Sequence, residues 1–155
     1  MRFSRPISIF LFSALLPISD PVAAQVSVSD AWVRATVQEQ KISGAYMTLT
    51  AAQDARLVGA SSRAAGAVEI HRTSMESNTA RMRRAAAIDL PAGKSVQLRP
   101  GGYHIMLLNL KRQLKEGDSV AIRLVIEDKS GKPSRLEVKA LVRPIGADSG
   151  PAHAH

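Results

Sequence analysis

Two histidines and two methionines carry the chemistry this sequence offers: His71, Met82, His104 and Met106. His104 and Met106 stand two apart. Alternation along a strand puts both side chains on one face, with Tyr103, Ile105 and Leu107 on the other, which should pack inward. His71 and Met82 have ten residues between them, and Ser74 to Asn78 within that span is polar and turn-prone. A hairpin centred near Glu76 and Ser77 would set His71 and Met82 nearly opposite each other, where cross-strand neighbours share a face with Cβ atoms about 5 Å apart.

Neither His71 nor Met82 reads as core. Met82 sits in Arg81-Met82-Arg83-Arg84, a stretch without apolar alternation, and His71 shares a face with Glu69 while Val68 and Ile70 take the apolar side. Both are expected on a polar surface or rim. A methionine taken alone is usually core filling, and that is the role expected of Met47, which alternates with Ala45 and Leu49. A lone histidine is usually a surface or hydrogen-bonded residue. Taken together, two neutral imidazoles and two thioethers form a soft, uncharged donor set that suits Cu(I). Zinc would call for thiolate or carboxylate, and a non-haem iron for a carboxylate beside its two histidines; neither pattern is present. Only the histidines would make binding depend on pH.

The elements that must position these residues are strands. Period-2 alternation runs through the body of the chain: Val120, Ile122, Leu124 and Ile126 point one way against Arg123 and Glu127, and Leu136, Val138, Ala140 and Val142 oppose Arg135, Glu137, Lys139 and Arg143. Further strands are expected near Gln25–Ser29, Trp32–Thr36, Ala45–Leu49, Arg56–Ala60, Ala67–His71, Thr79–Arg84, Ser95–Arg99 and Gly102–Leu108. Between them lie turn sequences such as Pro91-Ala92-Gly93-Lys94, Pro100-Gly101-Gly102 and Lys115-Glu116-Gly117-Asp118. Many short strands at regular spacing predict an all-β sandwich or barrel. At 155 residues, 45% apolar and 22% charged, the chain suits one folded domain.

The first 24 residues differ from the rest. Arg2 and Arg5 precede the apolar run Ile7–Ile18, and Val22-Ala23-Ala24 supplies small residues. This predicts a signal peptide cleaved after Ala24, followed by a domain over residues 25–144 and a flexible tail over residues 145–155. The run is too short for a bilayer, which needs about 20 apolar residues. With no cysteine there is no lipid-attachment thiol, no disulfide and no thiolate metal ligand, so a soluble periplasmic protein is expected. Without residues 1–24 the chain keeps 19 basic and 12 acidic residues, a net +7. The basic residues are scattered without aromatic interleaving, which argues against nucleic acid and for an acidic protein or membrane surface. No nucleophile–base pair, paired carboxylates in a known motif or phosphate loop is present, and a blue-copper centre would need a cysteine, so no enzymatic activity is expected.

The spacing H-x10-M-x21-H-x-M from His71 to Met106 resembles that of the periplasmic PCuA(C) copper chaperones. The blocks Ala31-Trp32-Val33-Arg34, Ser43-Gly44-Ala45-Tyr46-Met47, Val68-Glu69-Ile70-His71, Leu90-Pro91-Ala92-Gly93 and Pro100-Gly101-Gly102-Tyr103-His104-Ile105-Met106 are similar to that family's, so the resemblance covers roughly residues 26–142. It implies a cupredoxin-like Greek-key β-sandwich and Cu(I) held by His71, Met82, His104 and Met106. It also implies passage of the metal to the CuA centre of cytochrome c oxidase subunit II, often in concert with a Sco-type thiol protein. A copper-sequestering protein that stores without delivering would use the same site. Thr73 stands where family members often have a further methionine. Met75 is either a spare thioether or hairpin packing, and packing is expected because four ligands suffice for Cu(I). Three arginines beside Met82 would raise the local potential and could dock an acidic acceptor. His153 and His155 are either incidental residues of a frayed end or a second site for Cu(II), which imidazole suits. A monomer is expected.

Overall fold

The computed structural model describes residues 25–147, which form ten strands and no helix. The expected leader and the tail residues His153 and His155 lie outside the described residues. The strands are β1 (Val26–Arg34), β2 (Ile42–Ala51), β3 (Ala55–Ser61), β4 (Ala65–Glu76), β5 (Thr79–Arg84), β6 (Ile88–Leu90), β7 (Ser95–Leu98), β8 (Tyr103–Leu110), β9 (Ser119–Asp128) and β10 (Pro133–Arg143). They hydrogen-bond in the order β5-β4-β8-β2-β1-β10-β9-β3-β6, with β7 pairing β2.

The alternation seen in the sequence decides how this sheet folds over. Ala45, Met47 and Leu49 of β2, Ile105 and Leu107 of β8, Ile122 and Leu124 of β9 and Val138 and Ala140 of β10 all enter one buried cluster. Both wings of the sheet therefore close on a shared core, which makes the all-β, cupredoxin-like sandwich that was expected. The register matches the pattern: Leu136, Val138 and Ala140 face Leu124, Ile122 and Val120 across the β9–β10 pair.

Three local departures bear on function. Residues 26–34 form one strand where two were expected. A bulge at Asp30, with φ of 50°, shifts the register with β2 between Ser29 and Trp32. The extra residue reverses the alternation, so Val33 enters the core and Trp32 lies opposite Tyr46 on the outer face. Strand β6 is only three residues long, too short for an alternation pattern to reveal.

The third departure is the β4–β5 hairpin. Ser77 and Asn78 both have positive φ, 48° and 62°, which makes a two-residue turn between the paired Glu76 and Thr79. The hairpin centre falls one residue later than expected. His71 therefore faces Arg84 and Met82 faces Thr73, rather than each other. Because side chains alternate with a period of two, this slip leaves Met82 on the face of His71, one diagonal step along.

Met47 is 2% exposed and faces the core. Met47→Ala should lower folding stability by roughly 2–5 kcal/mol, while the outward-facing residues of the same strands keep their places. Urea denaturation of wild type and variant measures the first, and a Cu(I) competition titration should show no change in affinity.

Candidate metal centre

Strands β4 and β8 run antiparallel with His71 directly opposite His104, and the ring centroids are 6.0 Å apart. His104 is 3% exposed, and His71 is half-buried. Each ring is held by its outer nitrogen. His104 Nδ1–H donates to the Gly102 carbonyl at 3.0 Å, and His71 Nε2–H donates to the Glu69 carboxylate at 2.8 Å. A neutral imidazole has one donor and one acceptor nitrogen. These two bonds therefore leave His104 Nε2 and His71 Nδ1 as lone-pair acceptors, and both atoms are buried with no hydrogen-bond partner. Orienting a histidine through its far nitrogen is what metal sites do to fix tautomer and ring direction. This is the physical test of fit: two buried basic nitrogens on adjacent strands lack protein partners, and a cation would satisfy both.

The thioethers lie on the same face. Met106 follows His104 by two residues, opposite Glu69 on β4 and Gly44 on β2, and is half-buried. Met82 is 53% exposed. Met82, Met106 and His104 line one cleft of about 260 Å³ together with Thr73, Tyr46 and Arg34. The structure thus brings the four residues singled out by the sequence onto one patch, from buried His104 to exposed Met82. Met75, expected to pack within the hairpin, instead stands 69% exposed on that face.

The electrostatics differ from the sequence-based picture of three arginines crowding Met82. Arg81 and Arg83 project from the opposite face of β5, each 3.2 Å from Glu76. Arg84, across the strand pair from His71, reaches Glu69 at 3.6 Å. Glu69 is thus bonded to His71 and paired with Arg84. The His71 hydrogen bond, helped by the Arg84 charge, holds its carboxyl below the usual 4.5. The His104 imidazole is pushed below the ordinary 6.5 by burial, against the opposing pull of the Gly102 carbonyl and with smaller pushes from His71 and Arg34. Among the described residues, no group of three or more His, Cys, Asp or Glu side chains gathers in metal-binding fashion.

The supporting layer has residues to which sequence reasoning assigned no role. Glu69 could have been found from its i, i+2 relation to His71 on one strand face. The Gly102 carbonyl carries no side-chain signal. Tyr46 lies 6.2 Å from the His104 ring, and Trp32 stacks on Tyr46 at 4.5 Å. Arg34 and Arg143 cap Tyr46 and Trp32 at 5.5 and 5.4 Å. Gly44 is required here: a Cβ at this position would run into the Tyr46 hydroxyl, so glycine leaves room for the ring.

Comparison with known proteins identifies the family and the fold. Residues 26–139 match the family model described as "LpqE-like: Putative lipoprotein LpqE-like". A Leifsonia xyli subsp. xyli protein named "Putative lipoprotein Lxx21020" is 35% identical over 115 residues, which cover 74% of this chain and 69% of that one. Among solved structures, the copper-bound PCuAC domain from PmoF2 is 26% identical with a TM-score of 0.62, over 79% of this chain and 96% of that one. The CuI form of DR1885 from Deinococcus radiodurans is 30% identical with a TM-score of 0.56, over 81% of each chain.

Two predictions follow from the imidazole geometry. Glu69→Gln, which keeps the shape but removes the carboxylate charge bonded to His71, should weaken copper binding by about 10–100-fold. Chelator competition measures this, and circular dichroism should show an unchanged fold. Second, a depressed folded-state pKa at His104 contributes stability that is present above the unfolded value of 6.5 and lost as pH falls through the folded value. Metal-free protein should therefore unfold at lower urea concentration at pH 5.5 than at pH 7.5, and His104→Gln should narrow that difference.

Proposed function

Because the chain belongs to the LpqE-like family of PCuA(C)-type domains, we propose that it is an exported copper(I) carrier that binds its cargo through His71, Met82, His104 and Met106. The observation that carries this reading is the pair of partnerless buried nitrogens, His71 Nδ1 and His104 Nε2, beside two thioethers that core packing does not explain. The copper-bound forms of two relatives support the choice of metal. The donor set supports the Cu(I) state, since imidazole and thioether together suit the soft monovalent ion. Export to the periplasm accords with the lipoprotein names in the family.

The same geometry supports carriage rather than a closed cage. His104 is anchored and buried, and Met82 stands more than half exposed at the rim. A partner's ligand can displace Met82 first, with the imidazoles held in place by Gly102 and Glu69 until the last exchange. Each step makes one metal–ligand bond and breaks another, with no change of oxidation state. Thiolates of a Sco-type protein or of the CuA domain of cytochrome c oxidase subunit II are softer and charged, and would draw the ion onward. The recipient proposed is that CuA domain.

Met82→Ala and Met106→Ala should each weaken Cu(I) binding at least tenfold, the equivalent of about 1.4 kcal/mol, with stability little changed for exposed Met82. Delivery is checked by mixing copper-loaded protein with an apo CuA domain and following metal by mass spectrometry. Copper should appear on the CuA domain; retention on the carrier, with or without a thiol reductant, would instead favour storage.

A further inference from the structure

Pairing of β4 with β8 ends at Arg72 opposite Tyr103, followed by a backbone bond from Thr73 to Gly102. Beyond that point β4 and β5 continue as a two-stranded arm to the Ser77-Asn78 turn, and every residue of β5 is exposed. The two faces of this arm differ. One carries Glu76 with Arg81 and Arg83 at 3.2 Å and the Ser74 hydroxyl at 3.5 Å. The other carries Thr73, Met75, Ala80 and Met82, in continuation of the His71 face. The two-residue Ser77-Asn78 turn sets the register of the arm, and that register puts the thioethers on the second face.

Met75 and Met82 are diagonal neighbours there, since Met75 pairs with Ala80 and Met82 with Thr73. Diagonal positions are about 7–8 Å apart, and two methionine side chains with three rotatable bonds each close that gap readily. Thr73 and Ala80, which pair with them on this face, are short. Met75 is four residues from His71 on the same strand, about 13 Å at the usual rise. It is too far to join the imidazoles in one coordination sphere, and an apolar side chain 69% exposed at an arm tip gains nothing from packing.

We propose that Met75 and Met82 form an outer two-thioether landing site for a soft monovalent cation, which then moves inward as Met82 swings to His71, His104 and Met106 and Met75 lets go. Met82 is the shared ligand of the two stations, so the ion is never without a sulfur. The proposal rests on the copper(I) reading of the inner site.

The test uses the full chain with 13C-labelled methionine methyl groups and Ag(I) as a redox-inert soft ion. In the wild type the Met82 and Met106 methyl signals should shift within the first equivalent, with Met75, having let go, near its free position. With His71→Gln, which removes an inner ligand, the first equivalent should instead shift Met75 together with Met82, while buried Met47 stays still in both proteins. If Met82 shifts in the variant but Met75 does not, the landing site is wrong and the inner site stands. If neither Met82 nor Met106 shifts in the wild type, both readings fall. Met75→Leu provides the kinetic arm, because loss of one exposed sulfur does not threaten folding. Its uptake of Cu(I) from a chelator should slow several-fold with equilibrium affinity unchanged. An unchanged rate, or a loss of affinity matching the loss of rate, would overturn the transit role.

Discussion

Everything about this site depends on two hydrogen bonds that point away from it. By donating Nδ1–H to Gly102 and Nε2–H to Glu69, His104 and His71 each turn one bare nitrogen towards a space where the protein offers no donor. Leaving a buried polar atom unsatisfied costs about 1–3 kcal/mol, and the fold tolerates two within one strand pair. That is a local instability with a direction: it is relieved by a cation and by little else that fits between two imidazoles 6.0 Å apart. The outer bonds also hold the rings in place, so a cation bound there would not have to order them.

The sheet separates this demand from the demands of folding. On β8, Ile105 and Leu107 are fully buried in the core while His104 and Met106 face the other way; on β4, Ile70 is buried beneath His71. The same backbone therefore serves both, but the side chains divide by parity. A second gradient runs along the surface, from His104 at 3% exposure to Met82 at 53% and Met75 at 69%. Burial is thus greatest at the imidazoles and least at the thioethers of the hairpin.

Most of the architecture was legible because period-2 alternation is a strong signal when one face is buried. The inward sets on β2, β8, β9 and β10 all formed as expected. The bulge at Asp30 and the three-residue β6 escaped because neither leaves an alternation pattern. The hairpin turn was misplaced by one residue, since turn-prone residues extend across the whole span from Ser74 to Asn78 and only the backbone reveals which pair adopts positive φ. Face was nevertheless preserved, which is why Met82 still joins the cleft. The arginines were misjudged because charge along a strand says nothing of which face each residue takes until Glu76 and Glu69 are placed as partners. A carbonyl such as that of Gly102 has no signature in sequence at all.

The stack of Trp32 on Tyr46 beside His104 has an optical consequence. The chain contains one tryptophan, so its ultraviolet emission comes from a single indole. That indole is one aromatic ring removed from the buried His104 imidazole and is itself shielded from solvent. The molecule thus carries one intrinsic fluorophore within two ring contacts of His104, with no label required.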